Sequence, residues 1–293
     1  MKPQFLQFYG HVLPTLGTKS LVTKEKEGQF FKHHPVSSIE ELAALTELFD
    51  GKQQDVYFAC ATYQQGFYKD ELGKTKFRTS ENAGWVKSFW MDIDCDRAKA
   101  DQGKGYLDVT QALKALEEFC LSTGLPLPTI VFSGGGVHCY FVLDHEITKD
   151  EWLPVAKKLK TLTHHHRLLA DDSRTGDIAS ILRPVGTHNW KPSRMGKEVE
   201  LHHLSKLIPF ETFTQLIDDA YQVCASCEVE FKNQSKRDFL ETEENIKRVK
   251  VALHLLDPNC DRALWRDICF ALHSLGWECS KDLAKSWSRG DLL

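Results

Sequence analysis

The sequence has no apolar run approaching 18 residues, and its opening, MKPQFLQFYG, does not read as a secretory leader. A membrane-spanning helix and an exported domain are therefore not expected. Its nine cysteines form no repeated spacing and are odd in number. That argues against a disulfide framework and for thiols kept reduced and partly buried. One-sided charge is missing too: 37 basic residues against 41 acidic ones leave a net charge of −4. Overall charge thus gives no sign of nucleic-acid binding, although a local basic patch stays open. Neither internal repeats nor low-complexity tracts occur, and GxxxxGK[ST] is absent, so no P-loop is encoded.

What is there suffices for a folded protein. In 293 residues the hydrophobic fraction is 42%, enough for a large core in one big domain plus a small one, or in two domains. Residues 5–14 read as an amphipathic helix stopped by Pro14. Residues 20–23 and 29–34 read as a hairpin. Ser38 with Glu41 marks a helix start, and Gly51 lies past its end. DVYFACATY (55–63) and KSFWMDIDCD (87–96) read as strands. A helix at 108–123 ends at Gly124 and Pro126. TIVFSGGGVHCYFVLD (129–144) reads as strand, glycine turn and returning strand. Helices at 149–166 and 209–224 flank a strand near 197–204. Elements mix without strict alternation, so the expected fold class is α+β with a mixed or antiparallel sheet flanked by helices. From about 225 the polar run CASCEVEFKNQSKRDF reads as a linker. Three helical patterns follow, a small all-α module. The last of them is still running in SWSRGDLL, which predicts a longer natural chain.

The most informative stretch is SFWMDIDCD (88–96). In a strand, residues i and i+2 share a face, so Asp92 and Asp94 project side by side with Trp90. Adjacent carboxylates repel unless a cation lies between them. Hard oxygen donors at this spacing suit Mg²⁺ or Mn²⁺. The bland alternative is a solvent-facing strand edge, and a bare DxD does not exclude it. Asp96 follows as a loop or supporting residue.

SGGGVHCYF (133–141) adds a glycine turn that includes Gly135, where a backbone can approach a ligand closely and its N–H groups can cradle phosphate. Ser133 precedes it. His138 follows, placed to donate to a phosphate or move a proton. A tight hairpin with a satisfied histidine would read the same way. RLLAD (167–171) then ends an apolar stretch with another acid. DIASILRPVGTHNWK (177–191) gathers Arg183, His188, Asn189 and Lys191 around a Pro-Val-Gly turn. Such a group can hold a triphosphate, or can be a solvated loop.

Taken in order, DxD, then S-G-x-G-x-H, then an acid followed by R-P-x-G-T-x-N-x-K resembles the archaeo-eukaryotic primase superfamily, the primase-polymerases. The likeness is to the type carried by phages, prophages and plasmids. It covers residues 1–205, and QDVYFACATY and RTSENAGWVKSFWMDID fit it as well. ALWRDICFALHSLG followed by A-x-x-W-S resembles the small helical domain found after such catalytic domains. The division this implies is a catalytic domain at 1–205, a helix and linker at 206–236, and a helical C-terminal domain at 237–293.

The resemblance implies an RRM-like catalytic core and two-metal nucleotidyl transfer. Asp92 and Asp94 match the paired metal ligands. Asp171 matches the third best, with Asp172 and Asp177 as further candidates. Ser133, Gly135, His138, Arg183, Asn189 and Lys191 fall where the family holds the incoming nucleotide. Glycines stand where relatives carry basic residues after the motif serine. Lys191, Arg78 and Lys76 are the cations that would make up that charge. Two Mg²⁺ or Mn²⁺ ions are the implied cofactors. The implied partners are single-stranded DNA template, NTP or dNTP, and a helicase, fused downstream or separate. No membrane is involved, and the implied location is the cytoplasm of a bacterial host or phage-infected cell.

Tyr63, Phe67 and Tyr68, near Lys69, Lys74, Lys76 and Arg78, form a candidate template surface for stacking on bases. Cys224-Ala-Ser-Cys227 is a lone CxxC. Zinc is not expected there, because two more ligands are required and nothing in the sequence brings His202 and His203 to it. His164–His166 reads as a solvated helix end. Two other functions compete with a primase: a metal-dependent nuclease, and a replication-initiation DNA-binding module without catalysis.

Overall fold

Caps and apolar stripes place the helices, and the strands between them build two larger antiparallel sheets and two two-stranded ones. The computed structural model describes residues 2–24, 30–194, 196–238 and 240–291, with the side chains of 225–238 outside that description. The first elements are α1 (Pro3–Val12), the hairpin β1 (Lys19–Lys24) and β2 (Phe31–Val36), and α2 (Ile39–Gly51). Short strands β3 (Asp55–Ala59), β4 (Thr62–Tyr63), β5 (Tyr68–Lys69) and β6 (Thr75–Lys76) lead into the long β7 (Ala83–Asp94). Then come α3 (Arg97–Asp101), α4 (Val109–Thr123), β8 (Thr129–Phe132), β9 (Gly136–Thr148), α5 (Lys149–His165) and α6 (Asp172–Thr175). Strands β10 (Ile181–Leu182), β11 (His188–Asn189), β12 (Lys197–Glu198) and β13 (Glu200–His203) precede α7 (Phe210–Asp238). Three helices end the description: α8 (Glu243–His254), α9 (Arg262–Ser274) and α10 (Ser280–Arg289).

The capping chemistry is local and explicit. Ser38, Asp108 and Thr148 each accept a backbone N–H three residues on, satisfying donors that a helix start leaves open. Thr148 and Glu151 form a reciprocal capping box on α5. Gly124 ends α4 in the left-handed conformation, φ 70°.

The larger sheet has the order β13-β8-β9-β7-β4, and the second β10-β3-β1-β2; the pairings within both are antiparallel. Period-two alternation along β7 and β9 sorts their side chains onto two faces. On one face Phe89 and Phe141 pack on Phe213 of α7, with ring centroids 4.7 and 5.2 Å away. On the other, Tyr140 meets Phe8 of α1 edge-on, and Phe8 meets Phe58 of β3 in the same way. A continuous apolar core therefore lies under both sheets. The face carrying Trp90, Asp92, His138 and Tyr140 looks toward the second sheet.

Contacts divide the chain into two units, Met1–Cys224 and Ala225–Leu293. The second has its own core of Leu253, Ile268, Leu272, Trp277, Leu283 and Trp287. Trp287 donates to the Leu256 carbonyl at 3.1 Å, and Glu241 accepts the N–H groups of Glu278 and Cys279. Among the described residues no helix is long and apolar enough to cross a membrane.

The α+β class and the antiparallel sheets agree with expectation; several local readings need correction. DVYFACATY is two strands in two different sheets, because the chain changes sheet at Cys60–Ala61. Gly51 is the last residue of α2 and does not lie past it. The apolar stretch RLLAD leads into a short helix, with Asp171 as the N-cap of α6. The polar stretch read as a linker from 225 is helical, since α7 continues to Asp238. Tyr63 is buried, with 0% exposure, so it offers no face to a template. Phe67 is exposed, and Tyr68 is half-buried with its hydroxyl on Thr79 at 2.8 Å.

Candidate active site

The site grows from the end of β7. Trp90 points inward and stacks on Trp152 of α5, with centroids 4.7 Å apart. Its indole N–H donates to the Arg174 carbonyl at 3.0 Å, fastening α6 to β7. Two residues on, the Asp92 carbonyl accepts the Asp171 N–H at 2.7 Å. The strand thus sets the acid of a distant segment beside its own pair. β7 and β9 then pair so that Asp92 faces His138 and Asp94 faces Gly136. His138 Nε2 lies 3.7 Å from an Asp92 oxygen.

The charge balance follows from this placement. Burial raises Asp92 to about 7, and the neighbouring charges of Asp94 and Asp171 push the same way. Arg174 and Lys191 oppose that rise. His138 is driven down to about 3 by burial, then by Arg183 and Arg174, so its imidazole is neutral. Lys191 is lowered by burial and by Arg183. Asp94 bonds to Lys99 at 2.8 Å, an interaction that raises the lysine. Asp171 accepts the Ser173 N–H and hydroxyl at 2.8 and 2.7 Å, with Arg174 at 3.8 Å.

A half-buried carboxylate raised by two others is a concentration of negative charge that Lys99, Arg174 and Lys191 partly offset. All three donors are hard oxygens, the chemistry of Mg²⁺ and Mn²⁺. The donor type suits such ions, although the three carboxylates do not all lie within 4.8 Å of one another. To hold a cation, Asp94 would have to give up Lys99 and Asp171 its bonds to Ser173. Asp172 instead bonds His164 at 2.6 Å, and Asp177 accepts the Ala179 N–H at 2.9 Å.

The glycine turn is held by packing. Ser133 N–H donates to the Gly136 carbonyl and Cys95 N–H to that of Gly135. Gly134 has φ 71°, and a Cβ there would lie 3.0 Å from Asn189 Cβ. At Gly136 a Cβ would overlap the Ile93 carbonyl oxygen. Asn189 is buried and donates to the Ser133 carbonyl at 3.1 Å. Arg183 is 3% exposed; it pairs with Asp55 at 2.8 Å, donates to Tyr57 at 2.8 Å and covers that ring. Asp50 accepts from His188 N–H and faces its ring at 2.9 Å. Arg78 donates to the Ala179 carbonyl, and Lys76 lies 3.9 Å from Asp70. Asp96 caps α3 and pairs with Arg194 at 2.9 Å.

The structure thus brings together Asp92, Asp94, Asp171 and His138. Lys191 lies near enough for its charge to act on Asp92. Ser133, Gly135 and Asn189 gather at the turn, and Arg183 is held to the second sheet. Two hollows flank the acids. One, of about 760 Å³, is lined by Asp94, Asp171, Lys99, Lys104, His164 and Arg167. The other, of about 630 Å³, holds the glycine turn, Arg194 and Lys197. Sequence reasoning missed Lys99, Arg174, Arg194 and Asp55. For Arg174 one signal existed, its place three residues after Asp171. For the others none did.

No family model and no curated protein matches the chain. Solved structures do. The primase-polymerase domain of cyanophage S-2L (its AEP domain) is 14% identical with a TM-score of 0.51, covering 73% of this chain and 96% of its own. The catalytic domain of primase RepB′, solved with initiator DNA, is 13% identical with a TM-score of 0.43, covering 77% and 94%. The polymerase domain of Mycobacterium tuberculosis ligase D, solved with DNA, is 11% identical with a TM-score of 0.38, covering 72% and 84%. With two antiparallel sheets and paired acids at the end of a central strand, the chain has the fold of the primase-polymerase catalytic domain.

Proposed function

We propose that the chain is a primase-polymerase of the archaeo-eukaryotic primase superfamily. It builds primers on single-stranded DNA from NTPs or dNTPs, in the replication of a phage or mobile element. The observation that carries this is the facing of Asp92 and His138 on adjacent strands, with Asp171 bonded to the Asp92 carbonyl. Three acids on one side of a neutral imidazole match what nucleotidyl transfer needs: anionic ligands for cations, and an uncharged donor for a phosphate oxygen.

In this reading Asp92, Asp94 and Asp171 hold two Mg²⁺ or Mn²⁺ ions. When bound, the ions make the 3′-hydroxyl more acidic and neutralise charge on the departing pyrophosphate. His138 holds a phosphate oxygen of the incoming nucleotide. Ser133, the backbone at Gly135 and Lys191 line the triphosphate path. Arg183 and Asn189 act through the walls: Arg183 braces β3, and Asn189 fixes the turn at Ser133. The template lies along basic groups outside the acids, and the helical module assists in recognising it. A helicase, fused or separate, opens the duplex.

The test is synthesis on unprimed single-stranded DNA, with dNTPs and NTPs offered separately. Product that requires Mg²⁺ or Mn²⁺, and disappears with a chelator, supports the reading. Metal-dependent cleavage without synthesis would mark a nuclease. DNA binding with neither would mark an initiation module.

A further inference from the structure

Two sequence features stay unused by this site: His165 and His166 of the histidine run, and the cysteine at 224. The fold joins them. His165 is the last residue of α5, His166 caps it, and Cys224 lies on α7. One ligand atom from each of the three lies within 4.8 Å of the others, the single such group of three or more His, Cys, Asp or Glu among the described residues. Cys224 Sγ is 3.7 Å from His166 Nε2.

We propose that His165, His166 and Cys224 form a zinc site that clasps the end of α5 to α7. One thiolate and two imidazoles are a borderline-soft donor set, suited to Zn²⁺ and unsuited to Mg²⁺ or Ca²⁺. The spacing agrees. With Zn–S about 2.3 Å and Zn–N about 2.0–2.1 Å, tetrahedral geometry sets sulfur and nitrogen about 3.5 Å apart. The donors also sit on held backbone. Arg167, at φ 56°, turns the chain out of α5, with its N–H on the His164 carbonyl at 3.1 Å and that of Leu168 on Thr163 at 2.9 Å. Phe119 packs edge-on against the His166 ring, with centroids 5.9 Å apart. Both histidines lie at the C-terminal end of α5, where a helix end favours a cation. The fourth position is taken by water or a further donor; the side chain of Cys227 lies outside the described residues.

The clasp is structural. It sits five residues before Asp171 along the chain and fixes the start of the segment that brings this acid to β7. It does not depend on what the acids do.

Cobalt tests it, because Co²⁺ reports its ligands by colour. The full chain is kept reduced, stripped of metal with a chelator and titrated with Co²⁺. The expected result is one equivalent with a near-ultraviolet thiolate-to-cobalt band and the strong visible bands of a tetrahedral ion, displaced by Zn²⁺. Cys224→Ser removes the thiolate band, and His166→Ala weakens binding by about tenfold or more. Asp92→Ala with Asp94→Ala leaves the band in place, since carboxylates give none. No thiolate band in the natural chain, or a band unchanged by Cys224→Ser, overturns the proposal. That result would leave only a Cys–His hydrogen bond. If Cys224→Ser does not fold, His165→Ala decides, because that side chain is exposed: weaker cobalt binding supports the site, and an unaltered titration overturns it.

Discussion

His138 stands directly across from Asp92 in the β7–β9 ladder, its Nε2 3.7 Å from an Asp92 oxygen. The imidazole is neutral, so it does not cancel the carboxylate's charge. A hydrogen bond with the Arg183 backbone opposes the lowering, and Nε2, on the side of Asp92, is the nitrogen placed to meet a third party. If that party is a phosphate oxygen, His138→Ala loses a hydrogen bond to a charged group, about 1.5–3 kcal/mol, or about ten- to hundredfold in KM for the nucleotide. Steady-state kinetics with varied dNTP or NTP check this. An unchanged KM would remove His138 from the nucleotide site.

Trp90 connects core and site. Trp90→Phe keeps an aromatic ring against Trp152 but loses the bond to the Arg174 carbonyl. The expected cost is about 0.5–1.5 kcal/mol of stability. Incorporation should slow as well, because α6 carries Asp171 at its start. Urea unfolding and incorporation rate, measured on the same preparation, check both.

Glycines at two positions should behave oppositely. A Cβ at Gly136 would overlap the Ile93 carbonyl, whereas nothing lies within 4 Å of one at Gly66. Gly136→Ala should destabilise by about 1–3 kcal/mol or more through forced strand movement. Gly66→Ala should stay within about 0.5 kcal/mol of the parent. Thermal midpoints compare them.

Arg183 and Asp55 form an ion pair with the guanidinium 3% exposed. Removing one partner strands the other. Asp55→Ala should therefore cost about 3–5 kcal/mol, far more than a surface pair would. A denaturant series reads the loss directly.

Much of this was legible in the sequence, for physical reasons that can be named. Alternation through Trp90, Asp92 and Asp94 put the acids on one face, and the Ser133–His138 turn sat between apolar strands. Caps at Ser38, Asp108 and Thr148 marked helix starts. The failures have causes too. DVYFACATY is apolar throughout, with no glycine or proline to mark its change of sheet at Cys60–Ala61. The short run at 167–171 gave no element type, because periodicity over five residues cannot separate a strand from a turn that opens a helix at Asp171. The ion pair of Arg183 was not legible because its partner, Asp55, is 128 positions away in sequence. Pairings of that range, like His166 with Cys224, carry no local signal.

The account rests on Asp92 and Asp94 as cation ligands for nucleotidyl transfer. The most direct measurement is metal-dependent nucleotide incorporation on unprimed single-stranded DNA by the double variant Asp92→Ala, Asp94→Ala, with circular dichroism and DNA binding followed alongside. The account predicts incorporation at background with fold and DNA binding retained. Incorporation at the parent rate would contradict it.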